Sequence, residues 1–168
     1  MTKPISTLVI DSREQLPLEF REGLFDKVEV GALAFGDYGL FINEVQVPIV
    51  FERKGLGDLF GTMGHGYDRF KREMGRANEA HIHLVLAIEG SEYEVWQGYE
   101  HSTIKGESML KKLAMLRVRH DLEILFFNDR RSMSRWIEEV FSAVLRNFTL
   151  SPLLPLDKDK RDFYKVLE

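Results

Sequence analysis

The stretch from Val47 to Lys54 constrains this chain more than any other. It is a β-type run whose apolar residues, Val47, Ile49, Val50 and Phe51, give way to Glu52-Arg53-Lys54. Successive side chains of a strand alternate between its two faces, so Glu52 and Lys54 stand side by side while Phe51 and Arg53 point the other way. Upstream, Gly36-Asp37 opens a second run, Tyr38 to Glu44, and the turn signal at Asn43-Glu44 makes the two runs a hairpin. Asp37 then lies at the start of the partner strand and approaches Glu52 across the pair.

Hydrophobic period and punctuation order the remaining elements. Leu8-Val9-Ile10, ending at Asp11, and Val28 to Leu33 read as strands. Leu56 to Met63 reads as a short helix, and Tyr67 to Ala80 as a helix with Phe70, Met74 and Ala77 on one face. A strand at His83 to Glu89, a helix at Glu107 to His120, a strand at Leu122 to Phe127 and a long amphipathic helix marked by Met133, Ile137, Val140, Val144 and Phe148 complete an α/β chain. Its 168 residues suit one domain over residues 1–150. Beyond Phe148, prolines and a mixed-charge run predict a tail over residues 151–168 that is disordered or docks a partner.

The absence of cysteine removes disulfides, thiolate zinc sites and cysteine nucleophiles. No apolar stretch is long enough for a bilayer and no secretory signal is evident, so the expected location is intracellular: cytoplasm or nucleoid in a bacterial or viral setting, nucleus in a eukaryotic one. A formal charge of −4 gives no global attraction to a polyanion, which leaves nucleic-acid binding to local clusters of Lys and Arg.

Two carboxylates, Asp37 and Glu52, with waters and a phosphate oxygen suit Mg²⁺ or Mn²⁺, which rarely use an all-protein cage. Lys54 is placed to hold an attacking water or to offset charge developing on phosphorus. Asp58 sits where it serves either a second metal or the positive end of the helix that begins near Leu56. Arg53 either contacts phosphate or braces the site against Asp11 or Glu14, and Glu14 shares that ambiguity.

Taken together, Asp11-Ser-Arg13-Glu14, Gly36-Asp37-Tyr38 and Phe51-Glu52-Arg53-Lys54 with Asp58-Leu59 resemble the successive motifs of XPF-type nuclease domains. That family lies within the PD-(D/E)XK restriction-endonuclease-like superfamily. The resemblance implies a mixed central sheet flanked by helices and a Mg²⁺- or Mn²⁺-dependent endonuclease acting on branched, flap or single-strand/duplex junction DNA in repair, recombination or replication. It implies Asp37, Glu52 and Asp11 as metal-site acids, and Lys54, Arg53 and Asp58 beside Asp37 and Glu52 as catalytic positions. Many members carry a further DNA-binding region that has no counterpart here, so a homodimer or a separate DNA-binding protein is the expected partner. A catalytically silent DNA-binding scaffold, or a nuclease acting on RNA or strand ends, is the alternative; the intact acids and lysine argue against the silent form.

Arg69, Arg72 and Arg76, with Lys71 nearby, form a stripe along one predicted helix, and Lys111 and Lys112 belong to a second basic cluster. Each is either a solvated face or a track for DNA phosphates with little sequence preference. His65 reads as an inert loop histidine, His81 and His83 as packing residues, and Tyr93, Trp96 and Tyr99 as core or dimer contacts. Glu89 reads as an ordinary surface acid.

Overall fold

The computed structural model describes residues 4–150. The expected tail at 151–168 and the side chain of Phe148 lie outside the described residues. Along the described chain the elements run β1 (Ser6–Asp11), β2 (Lys27–Gly31), β3 (Tyr38–Ile42), β4 (Val45–Gly55), α1 (Leu56–Met63), α2 (Tyr67–Glu79), β5 (His83–Glu89), α3 (Glu92–Gln97), α4 (Gly106–His120), β6 (Glu123–Phe127) and α5 (Arg130–Leu150).

The strands form one mixed sheet in the order β2-β1-β3-β4-β5-β6. The hairpin expected around Glu52 is present: Ile42 pairs with Val45 across a two-residue turn. Asn43 and Glu44 both adopt left-handed backbone there (φ 48° and 68°), the twist that matches two antiparallel strands. β4 then leaves through α1 and α2 to return as the parallel β5, and β5 leaves through α3 and α4 to return as the parallel β6. Parallel neighbours need such helical crossovers, and they bury both faces of β5, which is apolar and buried from Leu84 to Ile88.

Alternation along β4 and β5 divides the core in two. Phe51, Val85 and Ala87 pack against Met133, Ile137 and Phe141 of α5, with the Phe51 and Phe141 rings 5.5 Å apart edge to face. Val50, Leu86 and Ile88 face Leu59, Phe60 and Met63 of α1, Phe70 and Met74 of α2, and Leu113 and Leu116 of α4. Among the described residues no helix is long and apolar enough to cross a membrane.

The corner that delivers Asp37 depends on Gly36, which has φ +70° and whose added Cβ would lie 3.0 Å from the Phe51 carbonyl and 3.1 Å from the Val50 side chain. Only glycine takes this backbone without strain. Gly36→Ala is expected to destabilise the protein by about 1–2 kcal/mol from the left-handed backbone, with a further cost from the crowding, read as a lowered urea midpoint at unchanged slope. An unchanged midpoint would show that the corner relaxes freely and does not fix Asp37.

Candidate active site

The last ladder pairs of the three central strands are Ile10 with Tyr38 and Tyr38 with Phe51. One residue further on stand Asp11, Asp37 and Glu52. The Asp11 N–H donates to the Asp37 carbonyl at 2.8 Å and the Asp37 N–H to the Phe51 carbonyl at 2.7 Å, so the ladder continues through them. Since Ile10, Tyr38 and Phe51 point into the α5 layer, alternation turns the three acids toward the other face, where α1 and α2 lie.

Glu52 and Lys54 share that face as the strand period requires, with the ammonium donating to Glu52 Oε1 at 2.6 Å. Burial would lower the Lys54 pKa, but the Glu52 charge and hydrogen bond outweigh it, so the ammonium holds its proton more tightly than usual. Asp37 Oδ2 accepts the Arg53 N–H at 2.8 Å. Burial first, and the Glu52 charge second, push the Asp37 carboxyl up to about 7. Asp37 Oδ1 and Glu52 Oε2 accept no hydrogen bond within the described residues. These two free oxygens fit a hard divalent cation, which commonly binds through one or two carboxylates and keeps its waters.

Asp11 is differently engaged. It is almost fully buried. Its Oδ1 accepts the Arg13 N–H and Nε at 2.9 and 2.7 Å, and its Oδ2 accepts Arg13 Nη2 and the Leu33 N–H at 3.1 and 2.7 Å. A carboxylate has about four acceptor directions, and all are taken. Burial would raise this carboxyl, but the hydrogen bonds from Arg13 and Leu33 hold it below its ordinary pKa. Among the described residues no three acidic or histidine side chains converge as a metal centre, and the Asp11 oxygens are engaged by Arg13 and Leu33. Asp11 instead anchors Arg13, whose exposed guanidinium senses the charges of Glu73 and Glu52.

Arg53 turns to the opposite face. Its Nε and Nη2 form a two-pronged pair with Glu14 at 2.9 Å each, and its Nη1 meets Glu89 at 2.9 Å. Of the two roles open to it in the sequence, the geometry displays bracing, with Glu14 and not Asp11 as the partner. Glu89, expected as an ordinary surface acid, is half-buried and also accepts Arg130 Nη1 at 3.2 Å. Sequence reasoning missed its role because both partners are far away along the chain. It also missed Glu73 of α2, a half-buried acid whose pKa is raised by burial and then by Glu52, while Lys54 and Arg13 pull it down. A signal was available, since Glu73 lies one turn from Phe70 and beside Met74 and so borders the buried face of α2.

Asp58 is exposed in the first turn of α1, where its charge reaches Lys54. No side chain caps that helix, so of the two roles only a dipole effect is visible. On α2, Arg69, Arg72 and Arg76 are exposed and line a shallow cleft of about 450 Å³, while Lys71 pairs with Asp68 at 3.0 Å. On α4, Lys111 pairs with Glu107 at 2.7 Å, and the Lys112 ammonium donates to the Met63 carbonyl at 2.6 Å over the Tyr67 ring. Lys112 thus ties α4 to the end of α1. His65 is exposed in the turn before α2, and His83 is buried against Glu123. Tyr93 and Trp96 are exposed on α3 rather than in the core, whereas Tyr99 lies past that helix and packs near Phe60.

The sequence model of the ERCC4 domain matches residues 10–140, a span that contains every acid and base just described. The chain belongs to the ERCC4 domain family. No curated protein sequence matches it. Among solved structures, XPF from Aeropyrum pernix is similar at 19% identity over 80% of this chain, with a TM-score of 0.58. The chain spans 59% of that protein. XPF from Aeropyrum pernix in complex with DNA is similar at 16% identity over 95% of this chain and 72% of that one, with a TM-score of 0.55. These likenesses show that the mixed sheet and its flanking helices are the fold of XPF nuclease domains, as the motifs implied.

The electrostatics of this ERCC4 domain lead to a pH test. The Asp37 carboxyl, pushed up to about 7 in the folded protein, lies well above the ordinary aspartate value of about 4. A raised carboxyl contributes stability that is fully present below the unfolded pKa and lost as pH rises through the folded one, a window from about 4 to 7. Asp37→Asn, melted in EDTA, is therefore expected to be more stable than the wild type at pH 8, with the gap closing as the pH falls toward 4. A gap that is constant with pH would show that Asp37 is not held against ionisation.

Proposed function

We propose that this chain is a divalent-metal-dependent DNA endonuclease, with Asp37 and Glu52 holding Mg²⁺ or Mn²⁺ and Lys54 acting beside them. The observation that carries the reading is the juxtaposition of two acids, each with an uncommitted oxygen, and a lysine pinned to one of them at 2.6 Å. A cation bound there supplies Lewis-acid stabilisation of the charge that builds on a phosphodiester. The chain supplies the rest. Lys54 stays protonated because its pKa is raised, so it donates to a water or to a phosphate oxygen and does not act as a base. Cation binding needs Asp37 ionised, so uptake near neutral pH releases protons. Glu73 and Arg13 lie within electrostatic reach of Glu52 and would orient solvent or phosphate beside it. Asp11 and Arg53 act through others, Asp11 by anchoring Arg13 and Arg53 through its N–H to Asp37.

DNA phosphates run along Arg69, Arg72 and Arg76 of α2, contacts that position a duplex without reading its sequence. The likeness to XPF, one example of which was solved with DNA, supports DNA as the substrate; we propose branched, flap or junction DNA, and with it a role in repair, recombination or replication inside the cell. A second copy or a separate DNA-binding partner would supply further selectivity.

The test is cleavage of labelled duplex, flap, fork and single-stranded DNA, with RNA alongside, in Mg²⁺, Mn²⁺ or EDTA. EDTA is expected to abolish cutting. Asp37→Asn and Lys54→Ala are expected to lower the single-turnover rate by about 10²–10³-fold while DNA affinity in Ca²⁺ changes little. A folded, DNA-binding protein that cuts nothing would favour a scaffold role. Cutting confined to RNA or strand ends would replace the substrate assignment.

A further inference from the structure

We infer that a second phosphate-binding surface for DNA lies on the other face of the sheet, in the cleft between the β1–β2 connection and the first turns of α5. This rests on the reading of the chain as a DNA nuclease. The cleft encloses about 590 Å³ and is lined by Arg21, Arg130, Arg131 and Arg135 with Glu19 and Glu138, while Glu139 pairs with Arg21 at 3.1 Å and Glu89 with Arg130 at 3.2 Å from its edge.

The arginines are arranged, not scattered. Glu138 of α5 is 1% exposed and receives three donors: the Arg21 backbone N–H at 2.6 Å, Arg21 Nε at 2.7 Å and Arg135 Nη1 at 3.4 Å. One buried carboxylate thus fixes two guanidiniums at the wall of the cleft, each nearly half exposed. Arg130 is fixed as well, by Glu89 and by the carbonyls of Leu16 and Pro17 at 2.7 and 3.0 Å. Arg131 is exposed and has no partner among the described residues.

Stability alone does not account for this. A buried ion pair is seldom more stabilising than apolar packing of the same volume. Arg130 and Arg131 also sit in the first turn of α5, where the helix dipole disfavours cations, with Asp129 just before them accepting the Ser132 N–H at 2.7 Å. A phosphate in the cleft offsets the cost of the cations at the helix start, and guanidinium forks suit phosphate because they bind it through two parallel hydrogen bonds.

The location selects DNA. Arg130 shares Glu89 with Arg53, whose chain neighbours Glu52 and Lys54 belong to the acid site. The cleft and the acids therefore sit at the same end of β4 and β5, on opposite faces. A duplex carries a charge about every 1.7 Å of its axis, so a backbone crossing that end meets both.

Arg131 is the residue to vary, because no described contact depends on it. Binding of a fluorescent fork is followed in Ca²⁺ over about 50–300 mM salt for wild type, Arg131→Ala, Arg131→Glu and the α2 control Arg72→Glu. Arg131→Ala is expected to weaken binding about two- to tenfold and to reduce the slope of log affinity against log salt by about one, with Arg131→Glu weaker still. Unaltered affinity and slope in both Arg131 variants, beside a weakened Arg72→Glu, would overturn the inference and leave the nuclease reading standing. Inorganic phosphate uptake that Arg131→Ala abolishes, with DNA binding unaffected, would overturn it in favour of a free-anion site. A wild type that cuts nothing but still loses salt slope on Arg131→Ala would sink the nuclease reading and uphold the cleft.

Discussion

The guanidinium of Arg53 is 9% exposed. A cation so far out of water persists only where carboxylates meet it, because its desolvation costs several kcal/mol and removing one partner leaves that cost uncompensated. Glu14 takes two of its donors and Glu89 a third, joining β4 to chain 39 residues before it and 36 after it. Arg130 extends the network to α5. Pinning Arg53 on this face leaves strand alternation to turn Glu52 and Lys54 to the other, and the same residue's N–H fixes Asp37. The acids are thus set in place by a residue whose own side chain faces away from them.

The two faces of the sheet end handle charge in opposite ways. On the α5 side each buried ion has its partner, and Glu14, though burial would raise it, is held below the ordinary carboxylate range by Arg53. On the α2 side Asp37 and Glu73 are both pushed upward, by burial and then by Glu52. A fold under selection for stability alone would neutralise such a group. Leaving acids close together and incompletely paired is the mark of a site that awaits an external positive charge.

The sequence reveals the acid side better than the bracing side. Glu52 and Lys54 are two apart on one strand, and Asp37 is reached through a two-residue turn, so a period of two and a turn signal suffice to bring them together. Helix and strand order is legible for the same reason, each element carrying its own period. The Arg53–Glu89 pair depends on β4 and β5 lying parallel after a two-helix crossover, and the Arg21–Glu138 pair spans 117 residues. No local pattern encodes either. Asp11 is a different case: its motif matches, and its oxygens are also engaged by an arginine two residues away and by the Leu33 N–H, contacts that appear only in three dimensions. Tyr93 and Trp96 keep a helical spacing yet lie on a helix of six residues whose buried side holds only Val95.

Net charge and local charge then combine in the proposed function. A protein of charge −4 that presents unneutralised acids repels a phosphodiester from the very place where it is to be cut. The arginines of α2 and of the α5 cleft attract the strand to either side of that place, and neither lies in it. In that proposal a divalent cation on Asp37 and Glu52 would reverse the local sign, turning repulsion of the scissile phosphate into attraction. Cation and DNA would then bind with mutual support, and the acids whose crowding raises the Asp37 carboxyl would make close approach of the phosphate conditional on the metal.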